Sequence, residues 1–226
     1  MRDSLTAVTK PLQIVHYGHA CVLVDTGSAR LLFDPGVFST GFEEVRDLDA
    51  ILITHQHLDH VDVQRLPALV AANPGATLVA DPATSADEIA GLGLPVTTAR
   101  PGDHLALGAA AVHAVGGEHA VIHPEYPVPP NVGYVVDGGA FYHPGDSLFV
   151  PEEKIEVLGL PTCAPWLATR DGIEFQRAVD PHASVLIHES LLAEIGVQNA
   201  AGWYTRTAPE DTEVLVLKRG EPATLG

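Results

Sequence analysis

Metal-binding side chains are concentrated in one short stretch of this sequence, the segment 54–60 with the sequence Thr-His-Gln-His-Leu-Asp-His. The stretch follows residues 50–53, an apolar run that predicts a buried strand. Two histidines that are two residues apart on an extended chain point to the same side and can face one ion. If the chain bends after Leu58, the next two side chains can reach a second ion. The four candidate ligands are His55, His57, Asp59 and His60.

These donors favour a transition metal. Imidazole and carboxylate groups bind zinc, manganese or iron better than calcium or magnesium. Solvated loop histidines beside a helix-capping aspartate are the alternative. Three histidines and an aspartate directly after a buried strand favour the metal site over that alternative.

The spacing His55-x-His57-x-Asp59-His60 resembles the signature of the metallo-β-lactamase fold superfamily of metal-dependent hydrolases. The resemblance extends from about residue 12 to residue 217. It implies an α/β fold, the four-layer αββα sandwich of the metallo-β-lactamase type, and two divalent metal ions as cofactors. At 226 residues and 46% hydrophobic, the chain is long enough for one domain with a sizeable core, so we expect a single domain over residues 1–226.

The same resemblance implies three further ligands at later strand ends. His119 lies in a turn after the predicted strand 112–118, Asp146 stands in a Gly-Asp-Ser context, and His188 ends the apolar run 184–187. The implied first metal site is His55, His57 and His119, and the implied second is Asp59, His60 and His188. Asp146 is expected to bridge the two ions.

Three more residues are expected to orient the ligand imidazoles from behind, again by resemblance: Asp34, His19 and His143. For Asp34 an Asx-turn before Pro35 is an equally weighted alternative. We expect the pocket walls to come from residues 38–42, residues 123–131, Trp166 and the pair 203–204. For each aromatic side chain in these segments, core or interface packing is an equally weighted alternative.

The elements that must position these side chains alternate between strand and helix, which is typical of a layered α/β domain. Strands are predicted around Gly18 and before Asp34 as an opening hairpin. A helix is predicted over 62–72, and Pro67 would have to lie near its start or kink it. The remaining predicted elements are strands at 76–80 and 95–99, a short helix at 84–91, a hairpin over 131–147 and a helix over 172–179.

Charge and composition restrict the classes of binding partner and the cellular location that we expect. The formal net charge of −17 repels phosphate backbones and anionic lipid, so we expect no nucleic-acid or membrane partner, although a small anionic substrate remains compatible with bound metal. Cys21 and Cys163 form no Cys-x-x-Cys pair, so neither a disulfide framework nor a thiolate site is indicated. Residues 1–11 contain no apolar core of signal-peptide length, which predicts a cytoplasmic protein. The sequence leaves the oligomeric state open.

The resemblance implies hydrolysis of an ester, lactone or similar bond in a small, potentially anionic metabolite by a hydroxide that bridges two metals. Zinc is favoured, with manganese or iron compatible, and Asp59 and Asp146 are the expected catalytic carboxylates. No Cys replaces Asp59 or His60, and no Glu replaces His57, and both absences favour hydrolysis. The segments 158–166 and 172–179 resemble the ascorbate-phosphate lactonase-like branch, although Leu186 departs from its pattern. A phosphodiesterase and a non-catalytic metal-binding relative are the alternatives.

Overall fold

A computed structural model describes residues 11–225, which form two seven-stranded sheets and three α-helices. The strands are β1 (Leu12–His16), β2 (Val22–Asp25), β3 (Arg30–Phe33), β4 (Ala50–Ile53), β5 (Thr77–Ala80), β6 (Thr97–Thr98), β7 (His104–Leu107), β8 (Ala110–Glu118), β9 (Pro130–Val136), β10 (Phe141–His143), β11 (Val157–Pro161), β12 (Ala183–Ile187), β13 (Glu213–Leu215) and β14 (Pro222–Leu225). The helices are α1 (Leu66–Ala72), α2 (Thr169–Val179) and α3 (Glu194–Thr207).

The prediction that residues 1–11 contain no signal-peptide core concerns mainly residues 1–10, which lie outside the described part of the chain. Within residues 11–225, no helix has both the length and the apolar content that a membrane crossing requires.

Each sheet is mixed, and the pairing of its strands changes once across the sheet between antiparallel and parallel. The first has the order β14-β1-β2-β3-β4-β5-β6, antiparallel as far as β3 and parallel from there. The second has the order β13-β12-β11-β10-β9-β8-β7, parallel from β13 to β10 and antiparallel beyond. Since β8, β10, β11 and β12 run in the same direction, their carboxyl ends meet at one edge.

The sheets pack face to face, and helices cover both outer faces. The inner core contains side chains from both sheets, such as Leu52 of β4 and Val185 of β12. On the outer face of the first sheet, Ile51 packs with Leu69 of α1. On the outer face of the second, Leu160 packs with Phe175 of α2. The predicted four-layer αββα sandwich is therefore confirmed.

Most predicted elements are present with shifted ends. Pro67 lies in the first turn of α1, where its missing N–H breaks no helical hydrogen bond. The segment predicted as a short helix at 84–91 is a π-helical stretch, Thr84–Ile89, followed by a 3₁₀ turn, Ala90–Leu92. Helix α3 was not predicted from the sequence, because a helix that buries only Tyr204 shows no apolar stripe at helical spacing.

The first sheet presents the 54–60 segment, which we call the metal-motif loop, at the carboxyl end of β4. The loop packs against the backbone after β3, where Val37 N donates to Leu58 O and Asp62 N donates to Pro35 O. Contact is closest at Gly36, since a Cβ built there would lie 1.9 Å from the carbonyl oxygen of Asp59. Only glycine fits at this position.

We predict that Gly36→Ala lowers the free energy of unfolding by about 1–3 kcal/mol, the usual cost of overpacking. The neighbouring atoms are backbone and cannot rotate away. Gly75→Ala is the matched control, because nothing lies within 4 Å of its Cβ position, and its effect should stay within about 0.5 kcal/mol. Denaturant unfolding of both variants without metal measures the difference, and equal stabilities would contradict the close approach.

Candidate metal centre

Two groups of four metal-binding side chains lie side by side at the edge where the strands of both sheets end. Within each group, the potential ligand atoms all lie within 4.8 Å of one another. The first group is His55, His57, His119 and Asp146. The second is His19, Asp59, His60 and His188.

The first group joins the metal-motif loop to the second sheet. Nε2 of His55 lies 3.0 Å from Nδ1 of His57, so the two rings that face the same side present these nitrogens to one point. His119 follows β8 and brings its Nε2 to 3.2 Å from Oδ2 of Asp146. The sequence analysis predicted these three histidines as one set, and the structure brings them together.

The second group combines the end of the metal-motif loop with the residue after β12. Nε2 of His188 lies 3.7 Å from Oδ2 of Asp59, and the His60 and His188 ring centroids are 5.4 Å apart. His19 was predicted to lie behind the ligands, but its Nε2 is 3.0 Å from Oδ2 of Asp59 and its ring is 3.8 Å from that of His188. It is therefore within ligand distance of the same group.

Asp146 separates the two groups with one carboxylate oxygen on each side. Oδ1 lies 3.1 Å from Nε2 of His60 and 3.2 Å from Nε2 of His188. Oδ2 lies 3.2 Å from Nε2 of His119 and 4.0 Å from Nε2 of His55. This is the arrangement that a carboxylate bridging two ions requires.

Asp146 is held by contacts that the sequence analysis did not anticipate. Its backbone N–H donates to Oδ1 of Asn131, and the indole N–H of Trp166 donates to its Oδ2 over 2.9 Å. The preceding Gly145 has a φ of 63°, and a Cβ there would lie 2.3 Å from Oδ1 of Asn131. Trp166 was predicted only as a pocket wall, because nothing in the sequence indicates that its indole bonds to a carboxylate 20 residues earlier.

Hydrogen bonds on the far side of each ring determine which imidazole nitrogen faces the centre. Nδ1–H of His119 donates to the Ala120 carbonyl, and Nδ1–H of His188 donates to the Cys163 carbonyl, each over 2.5 Å. Nδ1–H of His60 donates to Asp34 over 2.7 Å. A carbonyl can only accept, so in the neutral forms of His119 and His188 the lone pair is on Nε2, which points inward.

Several of these inward atoms have no partner within residues 11–225. Nε2 of His60, His119 and His188 and Oδ1 of Asp146 are buried and make no hydrogen bond of acceptable geometry. Buried polar atoms are normally satisfied, so their convergence indicates a ligand. Imidazole nitrogens around a shared carboxylate fit zinc, manganese or iron. The donor set therefore fits two divalent ions.

The histidines of the centre differ in how readily they hold protons. Burial lowers the pKa of His55 well below its usual value and also lowers that of His57. For His60, burial acts in the same direction, but the carboxylates of Asp146 and Asp34 outweigh it and raise its pKa well above the usual value. Burial likewise opposes protonation of His188, yet Asp146 raises its pKa overall.

The carboxylates stay ionised. Burial alone would raise the pKa of Asp146, but His60 and His188 hold it well below its usual value. Burial also opposes ionisation of Asp59, yet the hydrogen bond from His19 and the charge of His60 lower its pKa to about 2. Both groups therefore contain a negatively charged ligand at neutral pH.

Asp34 and His143 lie behind the ligands. Asp34 accepts from the backbone N–H of Thr54, from the Thr54 hydroxyl and from His60, so its contacts extend beyond an Asx-turn. His143 donates through Nε2 to the carbonyl of Ala20 and accepts through Nδ1 from the backbone N–H of Gly145. His143 thus contacts the backbone beside Asp146 rather than a ligand imidazole.

The predicted pocket walls are only partly at the centre. Phe38 packs edge-on against His19 with ring centroids 5.2 Å apart, and Tyr126 lines a groove beside His57. Tyr204 does not line the site. It is completely buried in the core between α2, α3 and the second sheet, where packing of a large aromatic outweighs exposure. Trp203 lies on the outer surface under the guanidinium of Arg206.

Comparison with known proteins agrees with this geometry. Residues 13–188 match the family described as "Beta-lactamase superfamily domain". The chain is 47% identical over 208 residues to protein Rv0786c of Mycobacterium tuberculosis, covering 90% of this chain and 96% of that protein. It is 29% identical over 193 residues to a UPF0173 protein of Pyrococcus abyssi, covering 78% and 83% respectively. Igni18, a metallo hydrolase from the archaeon Ignicoccus hospitalis, shares the fold with a TM-score of 0.72 at 19% identity, covering 96% of this chain and 99% of that chain.

We predict that metal uptake releases protons mainly from the second group. The raised pKa of His60 means that this imidazole keeps its proton to a higher pH than an ordinary histidine, so an incoming ion competes with that proton and its apparent affinity rises with pH. Asp34→Asn removes one of the charges that raise this pKa and should reduce both the proton release and the pH dependence. Calorimetric zinc titration of chelator-treated protein in two buffers of different ionisation enthalpy measures the released protons.

Asp211→Asn is the control for that titration, because Asp211 is an exposed carboxylate outside both groups. It should release as many protons as the unmodified protein. Equal proton release by Asp34→Asn would show that Asp34 does not set the protonation of His60.

Proposed function

This chain belongs to the metallo-β-lactamase superfamily and is a metal-dependent hydrolase, and we propose that it cleaves an ester, lactone or similar bond of a small metabolite. The observation that carries this proposal is the position of Asp146, with Oδ1 facing His60 and His188 and Oδ2 facing His119. A single carboxylate placed between two sets of imidazoles suits a pair of ions that act on one substrate bond.

The residues that would hold the ions are those of the two groups, with Asp146 shared. Ions bound there would supply a water of lowered pKa as the nucleophile and would polarise the bond to be cleaved. The protein contributes orientation, since hydrogen bonds to backbone carbonyls fix the rings of His119 and His188. It also limits access of bulk water, because His55, His60, His119 and His188 are all buried.

Asp59 is the carboxylate best placed to move a proton. It is only partly buried, and its Oδ2 lies 3.0 Å from Nε2 of His19. We propose that Asp59 accepts the proton of the attacking water and returns it to the leaving group. Asp146 is more deeply buried between imidazoles and serves to fix the two groups.

The finer assignments stay predictions. Zinc is the preferred ion because histidine and carboxylate donors suit it, and manganese or iron would use the same donors. The resemblance to the ascorbate-phosphate lactonase-like branch depends on residues 158–166 and 172–179, and the comparisons add nothing to it. A cytoplasmic location is likewise a prediction from the sequence.

A phosphodiesterase of the same fold is less well supported by the charges near the centre. Such an enzyme would need cations to bind a phosphodiester. Two arginines near the site already pair with carboxylates, Arg65 with Asp62 and Glu43, and Arg219 with Glu189. Cleavage of bis-nitrophenyl phosphate in preference to a lactone or a thioester would identify the phosphodiesterase.

We predict two metal ions per chain in protein purified without chelator, falling towards one in His188→Ala. The loss is expected because His188 contributes Nε2 to the second group alone. Elemental analysis measures the count. His182→Ala, which removes an exposed histidine on the same segment, should keep both ions. An unchanged count in His188→Ala would remove this residue from the metal centre.

We also predict that His57→Ala and Asp146→Ala lower kcat/KM on the order of a thousandfold or more, since residues that act as a unit lose most activity singly. The assay is hydrolysis of a generic lactone, a thioester and bis-nitrophenyl phosphate with added zinc or manganese. His104→Ala removes an exposed histidine from β7 and should retain full activity. Full activity in metal-loaded His57→Ala would count against the proposed reaction.

A further inference from the structure

A groove of about 500 Å³ leads directly from the first metal group to the surface. Its inner end is formed by His57 and His119, two of the residues that would hold an ion. The volume lies within the range of pockets that take small molecules. A substrate whose reacting bond lies at the metal centre would extend one of its groups along this groove.

The walls of the groove are largely apolar. The long loop between β8 and β9 supplies most of one side, and the start of the helical segment after β5 supplies the other. The apolar lining residues are Ala83, Ala120, Ile122, Tyr126, Pro127, Pro129 and Pro130. Ile122 and Tyr126 are 44% and 67% exposed, so apolar surface that a bound group would cover faces solvent.

The loop that carries this surface is restrained. The backbone N–H of His119 donates to the Pro129 carbonyl, and that of Tyr126 donates to the His123 carbonyl. Proline fixes φ at three positions of the wall, which reduces the entropy lost when a ligand binds. The groove is therefore largely formed before a substrate arrives.

The charges of the groove disfavour an anion. Of the described residues that line it, Asp87 is the one carboxylate, and none is Lys or Arg. An anionic group in the groove would meet a carboxylate with no compensating cation, in a protein whose net charge is −17.

We infer that the groove binds an uncharged, mainly apolar acyl group, so that the substrate is a neutral ester or lactone of an aliphatic acid. This inference rests on the proposed hydrolysis and narrows its substrate class. The oxygen of water bonds to the acyl carbon, the bond from that carbon to the leaving oxygen breaks, and a proton of the water passes to the leaving oxygen. The acyl chain remains in the groove beside Ile122 and Tyr126.

Two esters of matched shape test the inference on zinc-loaded protein: p-nitrophenyl hexanoate and the p-nitrophenyl monoester of adipic acid, which differ by a terminal carboxylate. We expect kcat/KM to favour the neutral ester by about fivefold or more, the effect of one unfavourable charge contact. Ile122→Lys places a cation in the groove and should reduce or invert this preference. Ile195→Lys adds the same charge at another exposed isoleucine, on α3 outside the groove, and should leave the preference unchanged.

Equal or better turnover of the anionic ester by the unmodified protein, or an unaltered preference in Ile122→Lys, would overturn the assignment of the groove while leaving the hydrolysis intact. Binding of hexanamide, followed by ligand-observed NMR, decides the matter independently of turnover. Weaker hexanamide binding in Ile122→Lys but not in Ile195→Lys would support the groove even if neither ester is cleaved, in which case the proposed reaction alone fails. Absence of hexanamide binding to the unmodified protein would overturn the inference.

Discussion

The ionised carboxylate of Asp146 is 4% exposed, and an unpaired charge at such a depth would be strongly unfavourable. Imidazoles from both sheets surround it, Trp166 donates to one of its oxygens, and Asn131 holds its backbone. Removing any of these contacts leaves buried polar atoms without partners. Compensation of this one buried charge therefore depends on side chains from both sheets, and many polar side chains are buried around it.

Backbone conformation at the same edge is also unusual. His19, Asp34 and His188 have positive φ values of 54°, 44° and 60°. Non-glycine residues adopt this region at an energetic cost, which is tolerated where the surrounding structure fixes the conformation. In each case the bend comes shortly after a strand and turns a side chain towards the metal centre or its supporting network. The strained backbone conformations at these three residues thus help to place the side chains of the metal centre.

The sequence predicted the layers and most of the first site for a physical reason. Ligands two residues apart after an apolar run have a fixed position relative to one another. The metal-binding role of the 54–60 segment can therefore be predicted without knowledge of tertiary contacts. Distant groups are different. His119 and His188 were identified by resemblance, and the roles of His19 and Trp166 depend on how loops fold back across the edge. The burial of Tyr204 could not be predicted from the sequence either, because it depends on packing between α2, α3 and the second sheet.

The pairing of β1 with β14 joins residues 12–15 to residues 222–225, and the second metal group joins His19 to His188. A chain emerging from the ribosome therefore presents the 54–60 segment long before the partners that complete either group. An ion captured at that stage would be held by the motif residues alone. The first group therefore becomes complete only with Asp146 and the second only with His188, so the two sites are completed at different stages of synthesis.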